Sequence, residues 1–347
     1  MTEEILISKA GQLGIVELNR PRAINALTVP MFEAIEKTLD AWRDDESIRA
    51  VLFRGAGEKG FCAGGDVRAT RNLMLSERFE DAARFFDLEY RVDGLIAAYP
   101  KPIIAFQDGI VMGGGIGLSG HARFRIATER SRFAMPEAAI GFFCDVGSNF
   151  ILSRQARHRA LAFEFAGEPV GAADAVMLRL TDIVVSSASL DALTDEIALA
   201  AADKDPEHAI AGVLTPHAGD IGPIPFCEGV DRLANCFAVE DVGQMLHALK
   251  ARAAEDEFAA HLHEVIGKRC PTSLDANRQA LDASRSMKSA REVLALDYRL
   301  AVYLTRRSDF AEGVRAVLVD KDHSPAWSPA DLSGVDGPAI AAAIAGE

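Results

Sequence analysis

The chain has 347 residues, 49% of them hydrophobic and 25% charged, the balance of a folded globular protein built as one large domain or two ordinary ones. A formal net charge of −14 argues against nucleic-acid partners, which need basic surface to meet phosphates, and against anionic membranes. Five cysteines lack C-x-x-C spacing, the start "MTEEILISKAG" has no basic-then-apolar leader, and no uncharged apolar run reaches the roughly 18 residues that span a bilayer; the expectation is a soluble, cytoplasmic protein with reduced thiols.

"EILISKAGQLGIVELNRP" predicts two short strands around a turn at Gly11–Gly14. "VPMFEAIEKTLDAWRDD" then places Phe32, Ile35, Leu39 and Trp42 on one helical face. "RAVLFRG" reads as a strand ending at Gly55, "KPIIAFQDG" as another and "RFRIATE" as a third. Between the last two, "VMGGGIGLSGH" is a Gly-rich turn that opens a buried helix. "AADAVMLRL" and "TDIVVSS" add a helix and a strand. Alternation over residues 1–185 predicts an α/β fold. Residues 188–221 read as a helix followed by a loose connector holding Pro206 and Pro216. From about Cys227 the pattern is helical, as in "SAREVLALDYRLAVYL", where Val293, Leu296 and Leu300 recur at helical spacing. The expected division is a core over 1–210 that carries the site and a mainly helical region over 211–347 packed on it.

Two glycine clusters stand out, "KGFCAGGDVR" at 59–68 and "GIVMGGGIGLSG" at 109–120. Both fit simple tight turns. Three glycines at a strand-to-helix junction also leave backbone N–H groups uncovered at a helix start, where they stabilise an anion or a developing oxyanion. Gly115-Ile-Gly117-Leu-Ser-Gly120 matches the G-x-G-x-x-G dinucleotide pattern, but the acid expected some 20 positions later is only loosely matched by Glu129. Further on, "AMPEAAIGFFCDVG" sets Glu137 and Asp145 in an apolar run. Carboxylates there cost free energy unless paired, hydrogen-bonded or protonated, so they are either satisfied loop acids or working groups.

Taken together, "ELNRPRAINALT", "GEKGFCAGGDVR", "YPKPIIAFQDGIVMGGGIGLSGHARFRIATE" and "FAMPEAAIGFFCDVG" resemble the crotonase (enoyl-CoA hydratase/isomerase) superfamily. "CPTSLDANRQAL" and "DFAEGVRAVLVDKDHSPAWSPADL" resemble the C-terminal region of its 3-hydroxyisobutyryl-CoA hydrolase branch. The resemblance implies a ClpP-like spiral of repeated β-β-α units with a helical C-terminal region, and an acyl-CoA substrate. It implies an oxyanion hole from the N–H groups of Gly65 and Gly114, which displaces the dinucleotide reading. Hydratases of the superfamily use two glutamates. The position of the first is Gly117 here, so that acid is missing; the second matches Glu137, and Asp145 stands where hydratases carry glycine. The hydrolase branch shows this same exchange, and its substrate-site glutamate before tyrosine matches Glu89. One departure is Phe143-Cys144-Asp145, where the branch reads Phe-Pro-Asp; proline stiffens a loop, and Cys144 in its place loosens or re-aims Asp145. No histidine lies near Cys144 in sequence, so an inert buried thiol is the expectation there.

The function so implied is hydrolysis of a short β-hydroxyacyl-CoA, 3-hydroxyisobutyryl-CoA in valine catabolism foremost, with Glu137 and Asp145 catalytic and Glu89, Gly114, Glu137 and Asp145 holding substrate. The alternatives are a hydratase or isomerase on the same fold, the missing acid at Gly117 arguing against hydration and less strongly against isomerisation, which can run on one base, and a non-catalytic acyl-CoA- or RNA-binding member. No cofactor beyond the substrate's own coenzyme A and no metal is expected, since the eight histidines lack ligand spacing. A homo-oligomer stays open.

Overall fold

In the computed structural model, which describes residues 3–218 and 221–347, the first strands form the expected hairpin. β1 (Ile5–Ala10) and β2 (Leu13–Leu18) pair antiparallel, with Ile5 opposite Leu18 and Ala10 opposite Leu13. β3 (Ala50–Gly55) then lies parallel to β2, β5 (Ile103–Gln107) parallel to β3, β7 (Phe124–Thr128) parallel to β5 and β10 (Ile183–Val185) parallel to β7. The order of this six-stranded sheet is β1-β2-β3-β5-β7-β10. "AVLF" and "IIAFQ" are buried on both faces, which is why they read as continuous apolar runs and not as alternation.

A second sheet, ordered β4-β6-β8-β9, interleaves with the first. Its strands are β4 (Gly60–Cys62), β6 (Ile110–Met112), β8 (Arg132–Ala134) and β9 (Val170–Gly171). Each of the three middle turns of chain lays one strand in the large sheet and the next in the small one: β3 then β4, β5 then β6, β7 then β8. Repeated strand–strand–helix steps of this kind make the spiral. The helix Val29–Arg43 is capped by Thr28, whose side chain accepts from the Met31 N–H, and buries Phe32, Ile35, Leu39 and Trp42.

Residues 188–218 differ from the expectation; positions 219 and 220 of the expected connector lie outside the described residues. After the helix Leu190–Ala200 comes a second helix, Pro206–Leu214, capped by Asp205 with Pro206 in its first turn. Ile210 and Leu214, one turn apart, join Leu193 and Ile197 in the core against Leu13, Leu52, Ile104 and Ile126 of the large sheet. Of the prolines that suggested a loose connector, Pro206 starts this second helix and Pro216 sits in the 3-10 turn Thr215–His217 that follows it.

Contacts divide the described chain into two units, each of three segments: 3–65, 88–133 and 170–224, less the two undescribed residues, in the first, and 66–87, 134–169 and 225–347 in the second. The second unit thus gathers, with the helical C-terminal region, two segments that the sequence reading assigned to the core. Several of its helices are capped by short polar side chains. Asp241, Asp256 and Ser289 each accept from an N–H in the first turn, and the Glu292 carboxylate accepts in return from the Ser289 hydroxyl and the Lys288 N–H. Arg157 pins the helix Arg157–Ala166 to Asp282 through two bonds of 2.9 Å and donates to the carbonyls of Phe237 and Val239.

Candidate active site

In the first unit the two glycine clusters meet. Asn25 lies at the centre of the first, donating to the carbonyls of Ala56, Gly60 and Phe61 at 3.0–3.1 Å. Leu27 donates its N–H to the Gly64 carbonyl, so the "AGG" backbone is fixed, while the Gly65 N–H meets no acceptor among the described residues. The second cluster ends β6 and begins the helix Gly114–Gly120, every residue of which is buried. Gly114 is the first residue of that helix, where an N–H has no acceptor within the helix itself, and none is met elsewhere among the described residues.

The two backbones approach closely. A side-chain carbon on Gly114 would lie 3.3 Å from the Gly65 nitrogen and 2.4 Å from Glu89 Oε1, and one on Gly64 would lie 3.4 Å from the Gly114 nitrogen. Gly64 also has φ +103°, a conformation that favours glycine, and a side chain at Gly114 would have to displace the Glu89 carboxyl. The helix Phe79–Ala97 thus brings the buried carboxyl of Glu89 beside the paired donors. Burial pushes the Cys62 thiol up to about 12, against a lowering hydrogen bond with Gly64, and the Glu89 and Asp93 charges add to the rise. Gly114→Pro removes one donor, and the expected loss of turnover is about 10²–10³-fold. Activity within a fewfold of the parent would mean that this N–H does not hold the reacting oxygen.

In the second unit Glu137 and Asp145 are brought together, 7% and 4% exposed. Glu137 opens the 3-10 turn Glu137–Ile140, which closes at Gly141 with the Phe142 N–H on the Glu137 carbonyl. Beyond this turn, Phe142 stacks on Phe86 at 5.3 Å and packs on Phe143 and Phe310 at 5.0 and 5.7 Å between ring centres. Burial, and then the negative charge of Asp145, push the Glu137 carboxyl well above the usual range. Its Oε2 meets no partner among the described residues.

Three further buried polar groups surround this pair and escaped the sequence reading: Asn277, Asp297 and Glu164, all 0% exposed. Asn277 Oδ1 accepts from the Cys144 N–H and Asp297 Oδ2 from the Gly147 N–H, both at 2.7 Å. Both carboxylate oxygens of Glu164 lack partners among the described residues. Burial raises its pKa well above the ordinary value, and the charges of Asp282, Asp297 and Glu137 raise it further. A carboxyl raised on folding contributes stability that is present at low pH and lost as pH rises through the folded value. Glu164→Leu is therefore expected to raise Tm, with a gain larger at pH 8 than at pH 5 and worth about 1–3 kcal/mol. A lower Tm at both pH values would show that Glu164 has a partner it needs.

The Cys144 thiol is wholly buried, 3.9 Å from the carbonyls of Met135 and Glu164. Burial first, then the charges of Glu164, Glu137, Asp145 and Asp297, raise its pKa well above the ordinary thiol value. A nucleophile needs the thiolate, which this environment opposes. Among the described residues no cluster of His, Cys, Asp or Glu could hold a metal ion, and no helix is long and apolar enough to cross a membrane.

The profile of the Enoyl-CoA hydratase/isomerase family matches residues 13–344. The chain belongs to this family. Among its relatives, the mitochondrial 3-hydroxyisobutyryl-CoA hydrolase of Rattus norvegicus is 38% identical over 96% of this chain and 86% of its own length. Among solved structures, a carnitinyl-CoA dehydratase from Mycobacterium thermoresistibile superposes with a TM-score of 0.90 at 34% identity, covering 99% of this chain and 96% of that one. An enoyl-CoA hydratase from Rhodobacter sphaeroides 2.4.1 follows with a TM-score of 0.88 at 31% identity, over 99% and 97% of the two chains. These likenesses confirm the expected crotonase fold. Within the family frame, the helix Gly114–Gly120 offers no acid at Gly117, whereas Glu137 and Asp145 are paired and buried.

Proposed function

We propose that the chain hydrolyses a short β-hydroxyacyl-CoA thioester, foremost 3-hydroxyisobutyryl-CoA, to the free acid and coenzyme A. The observation that carries this reading is the acid pattern: a buried Glu137/Asp145 pair, together with a donor helix that has no carboxylate of its own. The Rattus norvegicus relative's name supports it; the two solved structures are named a dehydratase and a hydratase and favour the alternative.

Hydrolysis needs a nucleophile, a place for the carbonyl oxygen's charge and a proton for the leaving thiolate. The N–H groups of Gly65 and Gly114 hold the oxygen as it gains charge. Glu137 acts at the carbonyl carbon, directly or by taking a proton from water, and the C–S bond breaks. Water supplies the acid's hydroxyl and, through the carboxyls, the proton that coenzyme A takes as it leaves. Asp145 orients the acyl hydroxyl or shuttles that proton, and Glu89 binds substrate beside Gly114. Phe142 and Phe143 close the acyl end, which suits short chains. The substrate places the enzyme in valine catabolism. Five free, buried thiols suit a reducing compartment, the cytoplasm in our reading, although the relative's name carries the word mitochondrial.

The test is thiol release. 3-Hydroxyisobutyryl-CoA should yield free coenzyme A with a thiol reagent, and crotonyl-CoA should keep its double bond. Asp145→Gly restores the hydratase residue without the acid absent at Gly117, so it should lose hydrolysis and gain no hydration. Fast loss of the crotonyl double bond by the parent protein, with no thiol released, would make it a hydratase.

A further inference from the structure

A proline at position 144 would have no N–H, whereas Cys144 brings one into the core. That donor points at Asn277 Oδ1, 2.7 Å away on the inner face of the helix Pro271–Ser284. Three residues on, the Gly147 N–H points at Asp297 Oδ2, also at 2.7 Å, on the inner face of the helix Ala290–Thr305. Asn149 Nδ2 adds a third tie at 3.1 Å to the Cys144 carbonyl. Asp145 therefore stands between two backbone groups, each held by a fully buried side chain of a different helix.

The backbone between those ties is strained, although the Ser148 N–H closes a turn on the Asp145 carbonyl at 2.9 Å. Val146 has φ +54° and Gly147 φ +69°. A β-branched residue in the left-handed region is a true outlier, costs about 1–3 kcal/mol, and persists only where its surroundings over-determine it. Asn277 and Asp297 are themselves costly. Asn277 Nδ2 and Asp297 Oδ1 are buried with no partner among the described residues. An apolar residue at either position would avoid that cost, so packing alone does not account for them.

We infer that Asn277 and Asp297 are positioning residues: through the N–H groups of Cys144 and Gly147 they fix where Asp145 presents its carboxyl, and Asn277 does for this loop what a proline at 144 would otherwise do. This inference rests on the hydrolase reading for the role of Asp145, and the experiment separates the two.

The central variants are Asn277→Leu, Cys144→Pro and the pair together. Asn277→Leu strands the Cys144 N–H, and kcat for thiol release should fall about 10–100-fold, the effect of a displacement near 1 Å, with KM for acyl-CoA changed less than about threefold. Cys144→Pro with Asn277→Leu has neither donor nor acceptor and should recover most of the lost kcat. Asp297→Leu should lose kcat in the same way, while Asp297→Asn keeps an acceptor for Gly147 and should retain it. Wild-type kcat in both leucine variants overturns the inference. So does a double variant whose losses simply multiply, or one that releases no thiol, folded or not. If the parent protein releases no thiol, the hydrolase reading fails on its own. Amide hydrogen exchange at residues 144–147 then decides: faster exchange in both leucine variants, with that of Gly147 restored in Asp297→Asn, supports the positioning role, and unchanged exchange overturns it.

Discussion

Glu137→Gln is expected to abolish thiol release while leaving a protein at least as stable as the parent. The substitution keeps shape and removes the only form able to act as base or nucleophile. Loss of a general base alone costs about 10²–10⁴-fold, and loss of a covalent nucleophile costs more. The stability arm follows from the direction of the pKa shift. Burial first and Asp145 second raise the Glu137 carboxyl, so its contribution to stability declines as pH rises above the ordinary carboxyl range. Replacing it with a neutral amide removes that decline. Tm of Glu137→Gln relative to the parent should therefore improve between pH 5 and pH 8. A working group held at a cost to the fold gives this opposition of activity and stability. A purified Glu137→Gln protein that still releases thiol at more than a tenth of the parent rate would remove Glu137 from the mechanism.

The elements that sequence revealed are those with a long apolar signature. "AVLF" and "IIAF" cannot be solvated and became the centre of the large sheet; the helix Val29–Arg43 buries the face its spacing predicts. The small sheet was invisible, because two or three residues, as in β9, are too short for any alternation to register. The second helix of 188–221 was masked by Pro206, which breaks a helix in its middle and starts one at its first turn. The site was legible in part. Gly65, Gly114, Glu137 and Asp145 announce themselves as glycines or acids out of place. Asn277 and Asp297 gave a fainter sign: each lies in the buried stripe of its helix, Asn277 with Leu274 and Leu281, Asp297 with Val293 and Leu300. A polar residue at an apolar position is a signal of its own, and one that periodicity arguments pass over when most of the stripe is satisfied. Glu164 is concealed likewise between Phe163 and Phe165.

Deleting residues 306–347 is expected to unfold the second unit and end activity. The helix Ser308–Val314 lies directly on the turn that carries Glu137. A side-chain carbon on Gly313 would fall 2.4 Å from the Ile140 backbone, and one on Gly141 would fall 2.3 Å from the Asp309 carbonyl, so the two segments touch with no room for a methyl group. Phe310 is 0% exposed against Phe142, Arg71 donates to the Ala311 carbonyl at 2.8 Å, and Arg68 reaches the Leu318 carbonyl. Val317 and Leu318 are only half-buried, and so is Trp327, whose indole N–H donates to the Lys268 carbonyl. The anchoring therefore falls to Phe310, Gly313 and Val314. Removing one buried phenylalanine costs about 3–5 kcal/mol, and a domain holds only about 5–15 in total. Phe310→Ala alone should thus lower Tm markedly and reduce thiol release, because it opens a cavity against the ring of Phe142 next to the acids. The deletion should abolish cooperative melting of the unit that contains Glu137. If the truncated chain melts at the parent temperature and releases thiol at the parent rate, the C-terminal segment is an appendage and the turn at Glu137 stands without it.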